Sequence, residues 1–320
     1  MAVTQTKQEM LAASDRPDLG HRIYGFLKAV PTWILWAIVI IWTVPSFGLF
    51  VNSFRSRDLQ RDTGWWTAFT NPEFTLDNYT DVLTSGATGG LWDGLLNSLA
   101  IAIPATIIPI AIAAFAAYAF AWINFKGREW LFISTVALMA IPLQVALIPL
   151  LQLYSRGAHF TIPFLEKTLT IFPDLGLSGD ITAVWLTHTG FGLPFAIFLL
   201  HNYISGLPAD LFESARIDGA DHFTIFWRLV LPLAVPVLAA FAIFQFLWTW
   251  NDYLIALTML GGNREALPVT IKIASLAGEF GLQEHLLSAG AFISTVLPLT
   301  VFFSLQRFFV RGILAGSVKG

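Results

Sequence analysis

The sequence predicts an all-α membrane protein of about six transmembrane helices, with a polar helix–turn–helix set between two of them. Three observations carry this. Of 320 residues, 56% are hydrophobic and 12% charged, against about 25% charged in an ordinary soluble domain. Apolar runs of about 20 residues, the length that crosses a bilayer as a helix, recur along the whole chain. Between Leu207 and Pro232 the pattern breaks into a charged insert that holds Asp210, Glu213, Arg216, Asp218, Asp221, His222 and Arg228. The ten-residue alternation of an outer-membrane barrel is absent.

Residues 1–29 read as a polar N-terminal segment. They lack the basic, apolar, small-residue order of a cleavable signal, so the first apolar run is read as a retained helix. The spans are predicted over Val30–Val51, Leu95–Trp122, Leu131–Tyr154, Thr182–Ile204, Leu233–Leu260 and Leu287–Phe309. The transmembrane domain is thus 30–309, with a small, basic tail over 310–320. Lys and Arg favour the side that holds both termini and the 207–232 insert, although Arg55, Arg57 and Arg61 run against the bias. The positive-inside rule therefore places both termini and the insert in the cytoplasm. The segments 52–94, 154–181 and 261–286 then form long outer loops, which serve either as caps over the helix ends or as a docking surface.

The chain contains no cysteine, which excludes disulfides, Cys-ligated zinc and iron–sulfur clusters. A net charge of −3 gives no sign of nucleic-acid binding. His188 and His201 lack a usable ligand spacing, so no metal site is inferred, and no catalytic constellation is present.

Within the insert, Pro208 suits a helix start, and Asp210 lies near the positive end of that helix. Gly219 allows a turn that a Cβ would resist. Asp221 is placed to cap a second short helix, His222–Leu229, which Leu231-Pro232 ends.

The spacing Glu213-Ser214-Ala215, three residues, Gly219, nine residues, Leu229, one residue, Leu231-Pro232 resembles the EAA signature of ABC-importer permeases. Ser214 and Leu229 depart mildly from the usual Ala and Ile. The fuller string ESARIDGADHFTIFWRLVLPL is similar to the carbohydrate-uptake, maltose-type branch. Collinear similarities are NSF (Asn52–Phe54), LDNY (Leu76–Tyr79), FKGRE (Phe125–Glu129), WTWNDYLIAL (Trp248–Leu257), LPV (Leu267–Val269) and the tail RFFVRGILAGSVKG.

The resemblance implies a coupling segment that docks into a cleft of a cytoplasmic ATPase. Glu213 is the docking charge and Gly219 the turn. Leu211, Phe212, Ala215 and Ile217 are packing residues, with Ser214 and Asp218 completing the segment. It implies a second related permease, two ATPase subunits and an extracytoplasmic solute-binding protein, in the cytoplasmic membrane of a prokaryote. The chain has no G-x-x-x-x-G-K-[ST] loop, so ATP and Mg2+ are expected in the partner ATPases and no cofactor on this chain. The expected function is sugar translocation by alternating access. The alternatives are an ABC permease for another solute and an ion-coupled secondary transporter, which would carry more paired intramembrane charges.

Asp252 is the acidic residue predicted within a span, where insertion costs about 2.5–3.5 kcal/mol. With Trp248, Asn251 and Tyr253 it forms either a structural or gating group, or a sugar contact of aromatic faces and hydrogen-bonding groups. Gln144, between Pro142 and Pro149, is a further candidate for the path. Gly190, Gly192 and Pro194 mark either a kink or a small-residue packing face. Asn97 and Ser98 are expected to cap the second span.

Overall fold

The computed structural model describes residues 31–84, 90–162, 167–277 and 284–317. The predicted N-terminal segment 1–29 lies outside them. Among the described residues five helices are long and apolar enough to cross a membrane, and the number is six if one strongly bent helix pair is counted as a single span.

Helix α1 (Thr32–Ser53) is apolar on all sides, and most of it is exposed, as suits a helix facing lipid or another chain. The connection that follows is built, not loose. It contains α2 (Arg57–Asp62), a 3-10 turn (Trp65–Phe69) and α3 (Asp77–Thr84). Arg55 holds it together from the inside at 1% exposure. Its guanidinium donates to Gly64 O at 3.0 Å, Thr63 Oγ1 at 2.5 Å and Thr67 Oγ1 at 2.9 Å. Asn78 adds bonds from its Nδ2 to Ser53 O and Arg55 O. Burial pushes the Arg55 pKa below its ordinary value.

Helix α4 (Leu91–Trp122) and helix α7 (Ile181–Ile204) form the centre of the bundle. Ala102, Ala105, Ala113 and Ala117 of α4 and Ala183 and Ala196 of α7 are fully buried. Small side chains let helix backbones approach closely, which is the main attraction available between helices in lipid.

The predicted third span is two helices, α5 (Arg128–Ala137, prolonged by a 3-10 turn to Ala140) and α6 (Leu143–Arg156). They bend by 104°. Pro142 is the physical reason. It favours the extended backbone seen at Ile141 (φ −75, ψ 116), because the ring of a following proline disfavours the helical region for the residue before it. An antiparallel hairpin of β1 (Ala158–Ile162) and β2 (Lys167–Phe172) leads on towards α7.

The polar insert forms α8 (Ala209–Ile217) and α9 (His222–Ile225). Leu231-Pro232 does not end the second of these. It continues through a π-helical turn, Phe226–Val230, into α10 (Leu231–Trp250). Pro232 has no N–H and would clash with the carbonyl of Arg228 in a regular helix. The wider turn, with Leu231 N–H donating to Phe226 O, makes room for it.

The predicted fifth span also breaks. Helix α10 stops at Trp250, and α11 (Leu254–Leu260) starts after Asn251–Tyr253. Asp252 therefore lies at a helix break, not inside a helix. Beyond Gly261, α12 (Val269–Ala277) returns onto α4. Asn97 and Ser98 do not cap their own helix, which begins six residues earlier at Leu91. They grip this returning segment: Asn97 Nδ2 donates to Glu265 O (2.7 Å) and Leu267 O (3.2 Å), and Ser98 Oγ accepts from Val269 N (2.9 Å). Helix α13 (Glu284–Ser317) runs past the predicted boundary at Phe309 into the tail.

Candidate functional site

Helix α8 ends in a tight motif. Gly219 has φ 82, its N–H donates to Arg216 O, and Ala220 N–H donates to Ala215 O. This is the Schellman pattern, in which a glycine in left-handed conformation satisfies the last carbonyls of a helix. Asp221 then caps α9, accepting from Thr224 N at 2.8 Å. The hydroxyl and N–H of Thr224 hold the Asp221 carboxyl below its ordinary pKa. The arm is therefore two short helices joined through a hydrogen-bonded corner.

The outer face of α8 presents Leu211, Glu213, Ser214, Ile217, Asp218 and Gly219, all exposed. Ile217 is 85% exposed and Leu211 41%. Ile217 lies one turn from Glu213, so an aliphatic side chain and a carboxylate are neighbours on water, and Leu211 is exposed on the flank of the same helix. Ser214 Oγ is turned inward to Asp210 O at 2.8 Å, and Ala215 is half-buried.

Phe212, expected with the docking residues, is 1% exposed. Its ring stacks on Trp122 of α4, centroids 3.7 Å apart and planes at 17°. It anchors the arm to the bundle. The indole N–H of Trp122 donates to Ile204 O, at the end of α7, at 3.1 Å. One turn earlier on α4, Tyr118 Oη is 2.8 Å from His222 Nδ1 of α9. The sequence assigns no role to Tyr118 and Trp122, and reads His222 only as the first residue of the second short helix. The signal was the pair of aromatic residues with polar edges, four apart and on one face at the end of a span.

At the α10–α11 break, both carboxylate oxygens of Asp252 are occupied. They accept from Ile255 N at 3.2 Å and Ala256 N at 2.9 Å, capping α11. Nε2 of fully buried His188 lies 3.5 Å from Asp252 Oδ2. Trp248 meets the His188 ring edge-on at 5.0 Å. Thr270 of α12 donates its hydroxyl to Asp252 O at 2.6 Å. The break thus joins α7, α10, α11 and α12. Of the path candidates, Trp248 and Asp252 share this node. Asn251 and Tyr253 are exposed beside it, Asn251 bonding back to Leu247 O. Gln144 is exposed in the first turn of α6, on a different helix.

A cavity of about 400 Å³ lies between α5–α6 and α7, lined by Met139, Ile141, Leu150, Tyr154, Gly190 and Phe191 among others. Its walls are mainly apolar and offer few partners for sugar hydroxyls. No cluster of three or more His, Cys, Asp or Glu suited to a metal occurs among the described residues.

A bundle of apolar helices, broken twice and carrying a polar arm, defines a polytopic transport subunit. The chain belongs to the family of binding-protein-dependent transport system inner membrane components, whose model matches residues 107–315. It is a membrane permease component and not an enzyme. It is 51% identical over 311 residues to the osmoprotective compounds uptake permease protein of Synechocystis sp., covering 96% of this chain and 97% of that one. It is 50% identical over 281 residues to the alpha-glucoside transport system permease protein of Rhizobium meliloti, covering 87% and 70%. The fold is shared with a chain of the crystal structure of a bacterial ABC transporter involved in the import of the acidic polysaccharide alginate. There the TM-score is 0.67 at 17% identity, covering 91% of this chain and 98% of that one. Nothing in this kinship favours the ion-gradient alternative.

Proposed function

We propose that this chain is one of two related permease subunits in an ATP-driven importer for a carbohydrate, and that an α-glucoside or a comparably polyhydroxylated osmoprotectant is the solute. In this reading a solute-binding protein delivers the solute on the outer side. Two ATPase subunits on the cytoplasmic side bind ATP and Mg2+, and alternating access moves the solute inward. The 207–232 arm faces the cytoplasm, as do both termini.

The observation that carries the proposal is the arm itself: a two-helix corner with Ile217 exposed one turn from Glu213 and Leu211 exposed on the flank of the same helix. Such a patch needs a partner, and the chain has no phosphate loop of its own. The names of the two relatives at about half identity support the solute class. Asp252, with both oxygens engaged, holds the α10–α11 break. Exposed Tyr253, Asn251 and Gln144 are left as the solute-facing candidates, and Trp248 braces His188 behind them.

The test is uptake by proteoliposomes holding the complete complex, with ATP inside and binding protein outside. A panel of labelled solutes would include α-glucosides, β-glucosides, amino acids and peptides. The proposal expects α-glucoside or osmoprotectant uptake that stops with a hydrolysis-dead ATPase and survives an ionophore. Uptake that survives the dead ATPase and stops with the ionophore would overturn it.

A further inference from the structure

We propose that Tyr118 and Trp122 are the positioning residues through which a load on the arm reaches the bundle, and that α4 is the helix that receives it. The inference rests on the docking role given to the arm above and adds the route of transmission.

The geometry is specific. Tyr118 and Trp122 lie one turn apart at the end of α4, so their side chains share a face. Trp122 takes α8 through the flat stack on Phe212 at 3.7 Å. Tyr118 takes α9 through the hydrogen bond to His222 Nδ1 at 2.8 Å. Both arms of the corner are therefore held by one helix. The Schellman turn at Gly219 and the Asp221 cap brace the corner between them with backbone and side-chain hydrogen bonds.

Trp122 Nε1 also holds Ile204 O, so the end of α7 follows the same residue. The π turn that continues α9 has a second hold on α4 just beyond the corner, where Phe226 stacks on Phe115 at 4.5 Å. This contact falls in the π turn, whose wider ladder allows local adjustment. Large flat rings transmit displacement because the interior is close-packed and has few soft gaps. Helix α4 in turn packs on α7 and α10 along their length. A shift at its end is therefore carried to the helices around the His188–Asp252 node.

The experiment uses the reconstituted complex and compares uptake with ATP hydrolysis. Trp122→Leu keeps an apolar side chain but loses the stack and the N–H. It should lower uptake at least tenfold while hydrolysis stays within about threefold and the ATPase still co-purifies. Trp122→Phe restores a ring and should recover most of the uptake. Tyr118→Phe removes the hydroxyl alone and should lower uptake with hydrolysis kept. If Trp122→Leu fails to assemble, Tyr118→Phe decides. Unchanged uptake in Tyr118→Phe and Trp122→Leu would overturn the inference. Parallel loss of uptake and hydrolysis in a Trp122→Leu complex that still holds the ATPase would also overturn it, since the residue would then only seat the arm. Failure of the docking reading is visible separately: Glu213→Lys would then leave both co-purification and uptake intact.

Discussion

The side-chain amide of Gln245 donates to the carbonyl of Ala105, 3.1 Å away, in the buried middle of the bundle. That carbonyl is the one Pro109 leaves without a helical donor, because proline has no N–H. The same amide reaches His188 O at 3.3 Å. One side chain on α10 thus repairs a gap in α4 and touches α7. Gly192 makes room for it, since a Cβ there would lie 2.6 Å from Gln245 Oε1.

Gln245→Leu should therefore destabilise the protein by about 1–3 kcal/mol, the usual effect of orphaning a buried polar group. Gly192→Ala should also destabilise, and much less so in a Gln245→Ala background, where the clash is gone. Thermal unfolding of the detergent-solubilised complex, read as a double-mutant cycle, checks both.

Arg55→Lys should not substitute for arginine. A Lys ammonium has three donors but on one nitrogen, whereas the guanidinium reaches Gly64 O from Nη1 and Thr63 and Thr67 from Nη2 in a planar fork. We expect a loss of about 1.5–3 kcal/mol, in line with bonds to a charged donor. Faster proteolysis in the 52–79 segment should accompany it. Unchanged protease resistance would count against the arginine as organiser.

Asp252→Ala removes both acceptors at the start of α11 and should cost about 1–2 kcal/mol, as loss of a helix cap does. Asp252→Asn keeps one acceptor and should cost less. If Asp252 is structural, solute KM should follow stability across the two variants. A large KM increase in a fully stable Asp252→Asn variant would make it a solute contact instead.

Asp180 caps α7 through Thr182 N at 2.6 Å, and the Thr182 hydroxyl and N–H hold its carboxyl below the ordinary value. A depressed carboxyl contributes stability that is complete above the unfolded pKa, about 3.9. That contribution is lost as pH falls through the folded value. Melting between pH 7 and pH 5 should therefore be insensitive to this group. Below about pH 4 the wild type should lose stability faster than Asp180→Asn, which keeps an acceptor that does not titrate. Parallel acid melting curves check the sign.

The parts of the fold visible in the sequence are the ones set locally. Hydropathy alone marks α1, α4, α7 and α13, and Pro208, Gly219 and Asp221 mark the arm, because turn, cap and breaker residues act within a few positions. The breaks at Ile141-Pro142 and Asn251–Tyr253 were hidden inside apolar runs that read as single spans. Hydropathy registers what lipid tolerates and says nothing of a change in direction. Phe212 reads as a docking residue from the motif, yet its partner Trp122 is remote in the chain, and no local pattern joins them. His188 reads in the sequence only as a histidine without ligand spacing, because its partner Asp252 is remote in the chain. Within the arm, sequence locates the residues, and only packing separates the anchoring ones from the exposed ones.

The central claim is that the arm meets an ATPase subunit, and cross-linking from its most exposed side chain tests this directly. An Ile217→Cys variant carrying a thiol-linked photoreactive group, in the assembled complex within native membranes, should form an adduct with the ATPase subunit. The same label on Tyr253→Cys, at the opposite end of α10, should form none. An Ile217 adduct found only with lipid or with an extracytoplasmic protein would contradict the account.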